Sequence, residues 1–216
     1  MKPRVGVFGG AFDPPHNAHV ALAMAALAQC DLLELRVFPT GQSWHKAHAS
    51  SNATHRLAMA QLAFDTIPGA RVDAREIRRS GPTYTLDTLL ELRRERPDVQ
   101  PVLIMGSDQA GALPQWHRWE QIVVLAVVCV AERLESAAPG GAGEAGARTV
   151  GAAIRFDPRT LPGLPSGARF ETLEFPAVAT SATDIRERVA RGLDIARLVP
   201  PAVASYIDRN HLYVPA

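Results

Sequence analysis

The sequence predicts an α/β fold: a doubly wound, mostly parallel, Rossmann-like sheet with a small helical C-terminal part. Three observations carry that prediction. Short apolar runs alternate with helical patterns along nearly the whole chain. The first run, Val5 to Phe8, meets Gly9-Gly10 and then a helical pattern that opens on His16 and His19. A strand, a glycine turn and a helix in that order set backbone N–H groups and a positive helix end against a phosphate. Strand, helix and strand also follow one another within about 35 residues, the span of a βαβ unit.

Taken in order, Arg4 to Phe8 is the first strand, stopped by Gly9-Gly10, and Ala18 to Gln29 the first helix. Leu32 to Phe38 is the second strand, ended by Pro39-Thr40-Gly41. A polar loop, Gly41 to Thr54, carries Trp44, His45, Lys46 and His48. The next helix runs from about Ala53 to Asp65, with Leu57, Met59, Leu62 and Ala63 available for its inner face. Arg71 to Ala74 reads as a weak strand and Arg75 to Pro82 as a basic loop with Arg75, Arg78 and Arg79. Tyr84 to Arg96 is helical, with Leu86, Leu89, Leu90 and Arg93 near helical spacing, and Pro101 to Met105 is a strand ending in Gly106-Ser107-Asp108. Trp116 and Trp119 fall in a short helical stretch. Val123 to Val130, uniformly apolar and β-branched, suits a strand buried on both faces. Glu135 to Ala153 is almost all Ala, Gly, Ser and Glu without an apolar period, and reads as a flexible insertion in a single domain spanning residues 1–216. Arg169 to Phe175 is a strand. Ser181 to Arg191 is a helix with Asp184 in its cap region and Gly192 at its stop, and Pro200-Pro201 opens the last helix, through Asp208.

Composition narrows the function classes. The 216 residues are 47% hydrophobic, enough for a core without staples, and the formal net charge is only +1. No basic face is advertised, which argues against nucleic acid or an anionic membrane as the main partner. The two cysteines, Cys30 and Cys129, sit far apart in apolar surroundings and read as reduced, buried thiols; no metal-ligand spacing is present. The first strand begins too early for a signal peptide, and the most apolar run, Ile122 to Ala131, is too short to span a bilayer. The expectation is a cytoplasmic protein; a homo-oligomer is compatible with the sequence.

Active sites in doubly wound folds lie outside the carboxyl ends of the strands. The Gly9–His19 stretch, the Lys46 loop and Gly106-Ser107-Asp108 all follow expected strands, so they can share one crevice. His16 and His19, three residues apart, lie on one helical face where both can donate to an anion. Ser181, Thr183 and Arg186 place two hydroxyls and a guanidinium at a helix start, which suits phosphate oxygens. Asp13 is the acidic residue nearest the turn, and its reading is structural, bonding backbone.

The stretch Gly9-Gly10-Ala11-Phe12-Asp13-Pro14-Pro15-His16-Asn17-Ala18-His19 resembles the GG(T/S)FDPxHxGH signature of bacterial nicotinate mononucleotide adenylyltransferases, in the HxGH nucleotidyltransferase superfamily. Gly9, Gly10, Phe12, Asp13, Pro14, His16 and His19 agree; Ala11 and Ala18 stand where a hydroxyl residue and a glycine are usual. His45-Lys46 resembles the HK pair of that family. Gly81 to Leu89 resembles GPSYTxDTL with Thr83 for Ser, and Ile104 to Asp108 resembles IxGxD, with Trp116 where the family has a tryptophan. Thr180 to Arg186 resembles ISSTxIR, with Thr180 and Ala182 departing, and Leu198 to Tyr213 resembles the closing LVPxxVxxYIxxxxLY. The blocks keep family order over nearly the whole chain, apart from residues 135–153.

The resemblance implies transfer of the adenylyl group of ATP to nicotinate mononucleotide, giving deamido-NAD and pyrophosphate. It implies ATP bound by Gly9, Gly10, Phe12, His16, His19, Gly106, Asp108, Ser181, Thr183 and Arg186, with His16, His19, Lys46 and Arg186 catalytic. Lys46, Tyr84, Thr85 and Trp116 would bind the mononucleotide, Trp116 as a flat face for the pyridine ring. Mg²⁺ would arrive with ATP, since no carboxylate cluster stands out. Related transferases acting on nicotinamide mononucleotide or phosphopantetheine, and a non-catalytic nucleotide-binding relative, are the alternatives.

Overall fold

The computed structural model describes residues 2–42, 51–134, 156–176, 178 and 180–215. Six strands, β1 (Arg4–Gly10), β2 (Leu32–Pro39), β3 (Ala70–Val72), β4 (Gln100–Gly106), β5 (Val127–Leu134) and β6 (Arg169–Pro176), form one sheet in the order β3-β2-β1-β4-β5-β6. Every neighbouring pair is parallel. Between them run α1 (Asn17–Gln29), α2 (Ala53–Phe64), α3 (Arg75–Arg78), α4 (Thr85–Glu95), α5 (Ser107–Gly111) and α6 (Trp119–Leu125), followed after β6 by α7 (Ala182–Ala190) and α8 (Pro201–Arg209). The order reverses between β1 and β4, so the carboxyl ends of these two strands bound the crevice where such sheets take their ligands.

Successive strand residues point to opposite faces, and the core divides accordingly. Val5, Val7, Leu103, Met105, Val128 and Val130 pack with Leu86, Leu89 and Leu92 of α4 and with Trp119 and Ile122 of α6. Phe8, Val102, Ile104, Cys129 and Ala131 face the other way, against Leu22 and Ala26 of α1, Met59 and Ala63 of α2, Ile185 of α7, and Val203 and Ile207 of α8. The doubly wound expectation therefore holds, and the C-terminal helices join the α1–α2 layer. Strands β1, β2, β4 and β6 and helices α1, α2, α4, α7 and α8 fall within a residue or two of their expected bounds.

The differences have physical causes. β1 runs on through Gly9-Gly10 instead of stopping there, because Gly10 still offers its carbonyl to Thr40 N–H at 2.9 Å. The apolar run Val123–Val130 is two elements: Val123 to Leu125 finish α6, which buries Trp119, Ile122 and Val123, and β5 starts at Val127. A continuous apolar run carries no period with which to tell helix from strand. Arg75–Arg78 forms a helical turn rather than a loop. On α2 the buried stripe is Arg56, Met59, Ala60, Ala63 and Phe64; Leu62 packs half-buried against the same core, and Leu57 is half-buried but not part of that stripe. On α4, Leu92 is inside and Arg93 outside. The expected insertion at 135–153 lies outside the described residues.

Two further contacts between distant parts of the chain bear on the fold. Cys30 and Cys129 are free, buried thiols with their sulfurs 3.2 Å apart. The contact with Cys30, together with burial, pushes the Cys129 thiol well up. At the sheet's edge, the Gln29 side chain bonds both backbone groups of Glu174: its Nε2 donates to the carbonyl at 2.6 Å and its Oε1 accepts from the N–H at 3.0 Å.

Candidate active site

Residues Ala11 to His16 connect β1 to α1, with a cis Asp13–Pro14 peptide. Phe12 adopts φ 49°, a left-handed conformation unusual for a residue with a Cβ. Its ring is 1% exposed and meets Phe8, Phe64 and His19 edge-on, at centroid distances of 5.4, 5.2 and 5.2 Å. A Cβ on Gly10 would sit 2.9 Å from that ring, so the position requires glycine. A Cβ on Gly9 would meet nothing within 4 Å. Open space thus lies over Gly9, while Phe12 packs beneath the turn; any contact between Phe12 and a ligand is left to its main chain.

His16 is the N-cap of α1 in an extended conformation, and His19 is three residues into the helix. Their rings stack at 3.7 Å between centroids. The His16 N–H donates to His19 Nδ1 at 3.2 Å, so in the neutral ring Nδ1 is the acceptor and Nε2 carries the proton. The helix start is anchored from the far end of the chain: Asn17 N–H donates to the Leu198 carbonyl, and Asn17 Nδ2 to that of Arg197, both at 2.9 Å.

The second wall is the start of α7. Ser181 Oγ caps it by accepting from Asp184 N–H at 3.1 Å. Arg186, part-buried, donates from Nη1 to the Asp13 carbonyl at 2.8 Å and from Nη2 to Thr183 Oγ1 at 3.2 Å. The N-terminal ends of α1 and α7 are therefore held to one turn, with Arg186 as the link.

Beneath the turn lies a buried polar cluster. Asp13 Oδ2 accepts from Ser51 N–H at 3.0 Å, and Oδ1 from the Tyr213 hydroxyl at 2.7 Å. Asp13 thus bonds backbone, as its structural reading expected, though from outside its own turn. Burial and the charge of Asp13 push the Tyr213 phenol well up, so it serves as a neutral donor. Arg56 is 3% exposed and donates to four carbonyls, those of Ser51, Ala11, Thr40 and Gly41. Burial lowers its pKa and the charge of Asp13 opposes that shift. Neither Arg56 nor Tyr213 emerged as a site residue from the sequence. Arg56 left one signal: it shares a helical stripe with Met59, Ala60 and Ala63, where an apolar residue is the ordinary occupant.

On the β4 side, Gly106 ends the strand and Asp108 lies exposed in the first turn of α5. A Cβ on Gly106 would come within 2.7 Å of Asp108 Oδ1, so this glycine lets the carboxylate fold back over the strand end. Tyr84 is the N-cap of α4 and Thr85 its first residue. The Tyr84 ring lies 4.4 Å from that of His117, which brings Trp116 and the start of α4 into one neighbourhood. Trp116 is half-buried against the second core, whereas Trp119 is 6% exposed and belongs to that core. Thr83 N–H donates to the Gln42 carbonyl at 3.0 Å, tying this wall to the segment after β2. Lys46 and His45 lie outside the described residues. Behind the wall, Glu76 is 6% exposed and accepts from Thr88 Oγ1 at 2.6 Å; burial raises its carboxyl to about 7. Arg75 and Arg79 pair with Asp73, Glu95 and Glu91, so their charge is spent on the protein itself. Burial works against the charge of Asp73, but the hydrogen bonds of Arg75 hold its carboxyl below the ordinary range.

Among the described residues no group of three or more His, Cys, Asp or Glu could hold a metal, and no helix is long and apolar enough to cross a membrane. The model of the cytidylyltransferase-like family matches residues 7–188. A relative from Albidiferax ferrireducens, named probable nicotinate-nucleotide adenylyltransferase, is 50% identical over 213 residues that cover 99% of each chain. The chain belongs to the nicotinate-nucleotide adenylyltransferase family. A relative of the same name from Aeromonas hydrophila is 36% identical, with 100% of both chains covered. Among solved structures, Plasmodium falciparum nicotinic acid mononucleotide adenylyltransferase complexed with NaAD is similar with a TM-score of 0.73, over 98% of this chain and 97% of that one. At 19% identity that likeness is one of fold. It agrees with the six-stranded parallel sheet and its flanking helices.

Proposed function

We propose that this crevice joins ATP to nicotinate mononucleotide, releasing pyrophosphate and forming deamido-NAD. One observation carries the assignment of roles: the starts of α1 and α7, with His16, His19, Ser181, Thr183 and Arg186, converge on the Ala11–His16 turn. In the reaction a phosphate oxygen of the mononucleotide attacks the α-phosphorus of ATP, and the bond from that phosphorus to the pyrophosphate oxygen breaks. Both reactants are polyanions that repel one another, so the catalyst must neutralise and align them; no protein nucleophile is required.

The histidine tautomer gives this a direction. With Nδ1 occupied by the His16 N–H, His19 donates from Nε2 to the charge that develops on the transferred phosphoryl group. His16 and the first turn of α1 add positive potential on the same side. Arg186, held by the Asp13 carbonyl and by Thr183 Oγ1, meets the outer phosphates already oriented, alongside Ser181 and Thr183. Lys46 neutralises the mononucleotide phosphate. Gly9 and Gly10 leave room for ATP, and Gly106 and Asp108 receive its ribose. Trp116 offers its face to the pyridine ring, and the backbone N–H groups opening α4 at Tyr84 and Thr85 take the nicotinate carboxylate.

The donor set fits Mg²⁺ arriving with the triphosphate. Both Asp13 oxygens are engaged by Ser51 N–H and the Tyr213 hydroxyl, and the remaining groups around the turn are N–H and O–H donors that suit phosphate oxygens. Bound in that form, the ion would supply charge neutralisation on the phosphates.

The test is pyrophosphate release from ATP and Mg²⁺ with nicotinate mononucleotide, set against nicotinamide mononucleotide and phosphopantetheine. Turnover is expected with the acid; equal turnover of both mononucleotides would remove the acid preference. His19→Ala should lower kcat by about 10²- to 10³-fold while changing substrate binding less. Unchanged pyrophosphate release in that variant would end its assignment as the main donor.

A further inference from the structure

A buried guanidinium that forms no direct ion pair is an expensive thing to keep, even with the charge of Asp13 nearby to steady it. Among the described residues Arg56 makes no ion pair, and its position on the inner stripe of α2 would accept Met or Leu without any desolvation cost. What it does instead is bond to carbonyls from three separate places. Nη1 donates to Ala11 at 3.1 Å and to Thr40 at 2.6 Å, Nη2 to Gly41 at 3.2 Å, and Nε to Ser51 at 3.1 Å. Those acceptors lie in the turn after β1, in the segment after β2 and just before α2.

The Ala11 contact matters most. The Ala11 carbonyl belongs to the same peptide as the Phe12 N–H, and Phe12 holds φ at 49°. A left-handed residue with a Cβ costs on the order of 1–3 kcal/mol and persists only where its surroundings fix the peptide. Arg56 supplies a charged donor to that peptide from below. The ring this conformation directs inward then meets His19 edge-on at 5.2 Å. Asp13, next in the chain, is secured separately by Ser51, Tyr213 and Arg186. A flat, forked cation can satisfy four carbonyls at once, which a lysine's single ammonium at the end of a flexible stem cannot do in this geometry.

We propose that Arg56 is a positioning residue for the adenylyl-transfer site: through the Ala11 carbonyl it holds the Phe12 peptide, and through the Phe12 ring it holds the His19 imidazole, without itself touching substrate. The proposal rests on the reaction given above, and it predicts a loss in kcat rather than in ATP affinity.

The experiment compares wild type with Arg56→Lys in pyrophosphate release, in cooperative thermal melting, and in ¹⁵N spectra of histidine-labelled protein. Wild type should show His19 protonated on Nε2. Arg56→Lys should lower kcat by on the order of 10²-fold, the scale of a misplacement of about 1 Å, with little change in KM for ATP. Its His19 nitrogen signals should move toward each other as the tautomer preference weakens. A purely structural role would lower the melting temperature and leave the kcat of folded enzyme and the His19 signals unchanged; that result overturns the proposal. Should Arg56→Lys fail to fold, the wild-type Arg56 guanidinium decides: its Nη protons should resist exchange and ring-like rotation, and freely rotating Nη signals overturn the proposal. If wild type releases no pyrophosphate with nicotinate mononucleotide, the functional reading fails. The His19 spectra of the two proteins still judge Arg56.

Discussion

Glu76 on α3 should make the protein less stable as pH rises, and Glu76→Gln should abolish that loss. The carboxyl is 6% exposed, and burial raises it from its ordinary 4.5 to about 7. The hydroxyl of Thr88 and the charge of Arg79 work in the opposite direction, while Glu91 and Asp73 add to the rise. Below about pH 4.5 the group is protonated in the folded and the unfolded chain, and it makes no difference. Between there and about 7 the unfolded chain gives up its proton while the folded protein keeps it, so unfolding is favoured progressively; above about 7 the loss is complete. At ~1.4 kcal/mol per pH unit, the full rise corresponds to about 3.5 kcal/mol. Glutamine keeps an acceptor for Thr88 and has no charge to bury. Relative to wild type, Glu76→Gln should therefore gain about 2.5 kcal/mol between pH 5 and pH 8, or roughly 5–10 °C in melting temperature for a chain of this size. Urea denaturation of both proteins across that range measures the difference directly. Parallel stability profiles would refute the reasoning, because they would mean that Glu76 ionises in the folded protein as readily as in the unfolded one.

Other outcomes follow from single contacts. Tyr213→Phe removes the hydroxyl that serves Asp13 Oδ1 and should cost about 1–3 kcal/mol in urea denaturation; wild-type stability would show that water replaces it without loss. Gly10→Ala would press a methyl to 2.9 Å from the Phe12 ring, so it should destabilise by about 1–3 kcal/mol and also depress turnover, since that ring borders His19. An alanine variant with wild-type melting and turnover would mean the ring gives way freely.

Most of the sheet was legible because its strands are short apolar runs closed by glycine or proline. The motif residues could be placed because α/β sheets gather such ends on one side. What could not be read depended on partners distant in sequence. Nothing near Arg56 announces that its acceptors lie at Ala11, Thr40, Gly41 and Ser51, and nothing near Asp13 points to a tyrosine in the closing residues. Cys30, capping the end of α1, and Cys129 of β5 are far apart in sequence, and only the fold sets their sulfurs 3.2 Å apart. The boundary between α6 and β5 was lost for the opposite reason: every local residue was apolar, and only packing against α4 or against the sheet distinguishes the two. His117 follows Trp116 directly, but its ring contact with Tyr84 needs the start of α4 to be in place.

The bonds between Gln29 and Glu174 bear on where the sheet ends. In a parallel strand the N–H and C=O of one residue point the same way, so the pair on Glu174 taken by the glutamine points away from β5. Among the described residues β6 is the edge strand, and these are groups that a further strand would need. A side-chain amide carries the same donor and acceptor as a peptide unit, but it belongs to a helix and cannot be extended. The end of α1 thus acts as a terminator, presenting a single imitation peptide where another chain could otherwise begin to add its own.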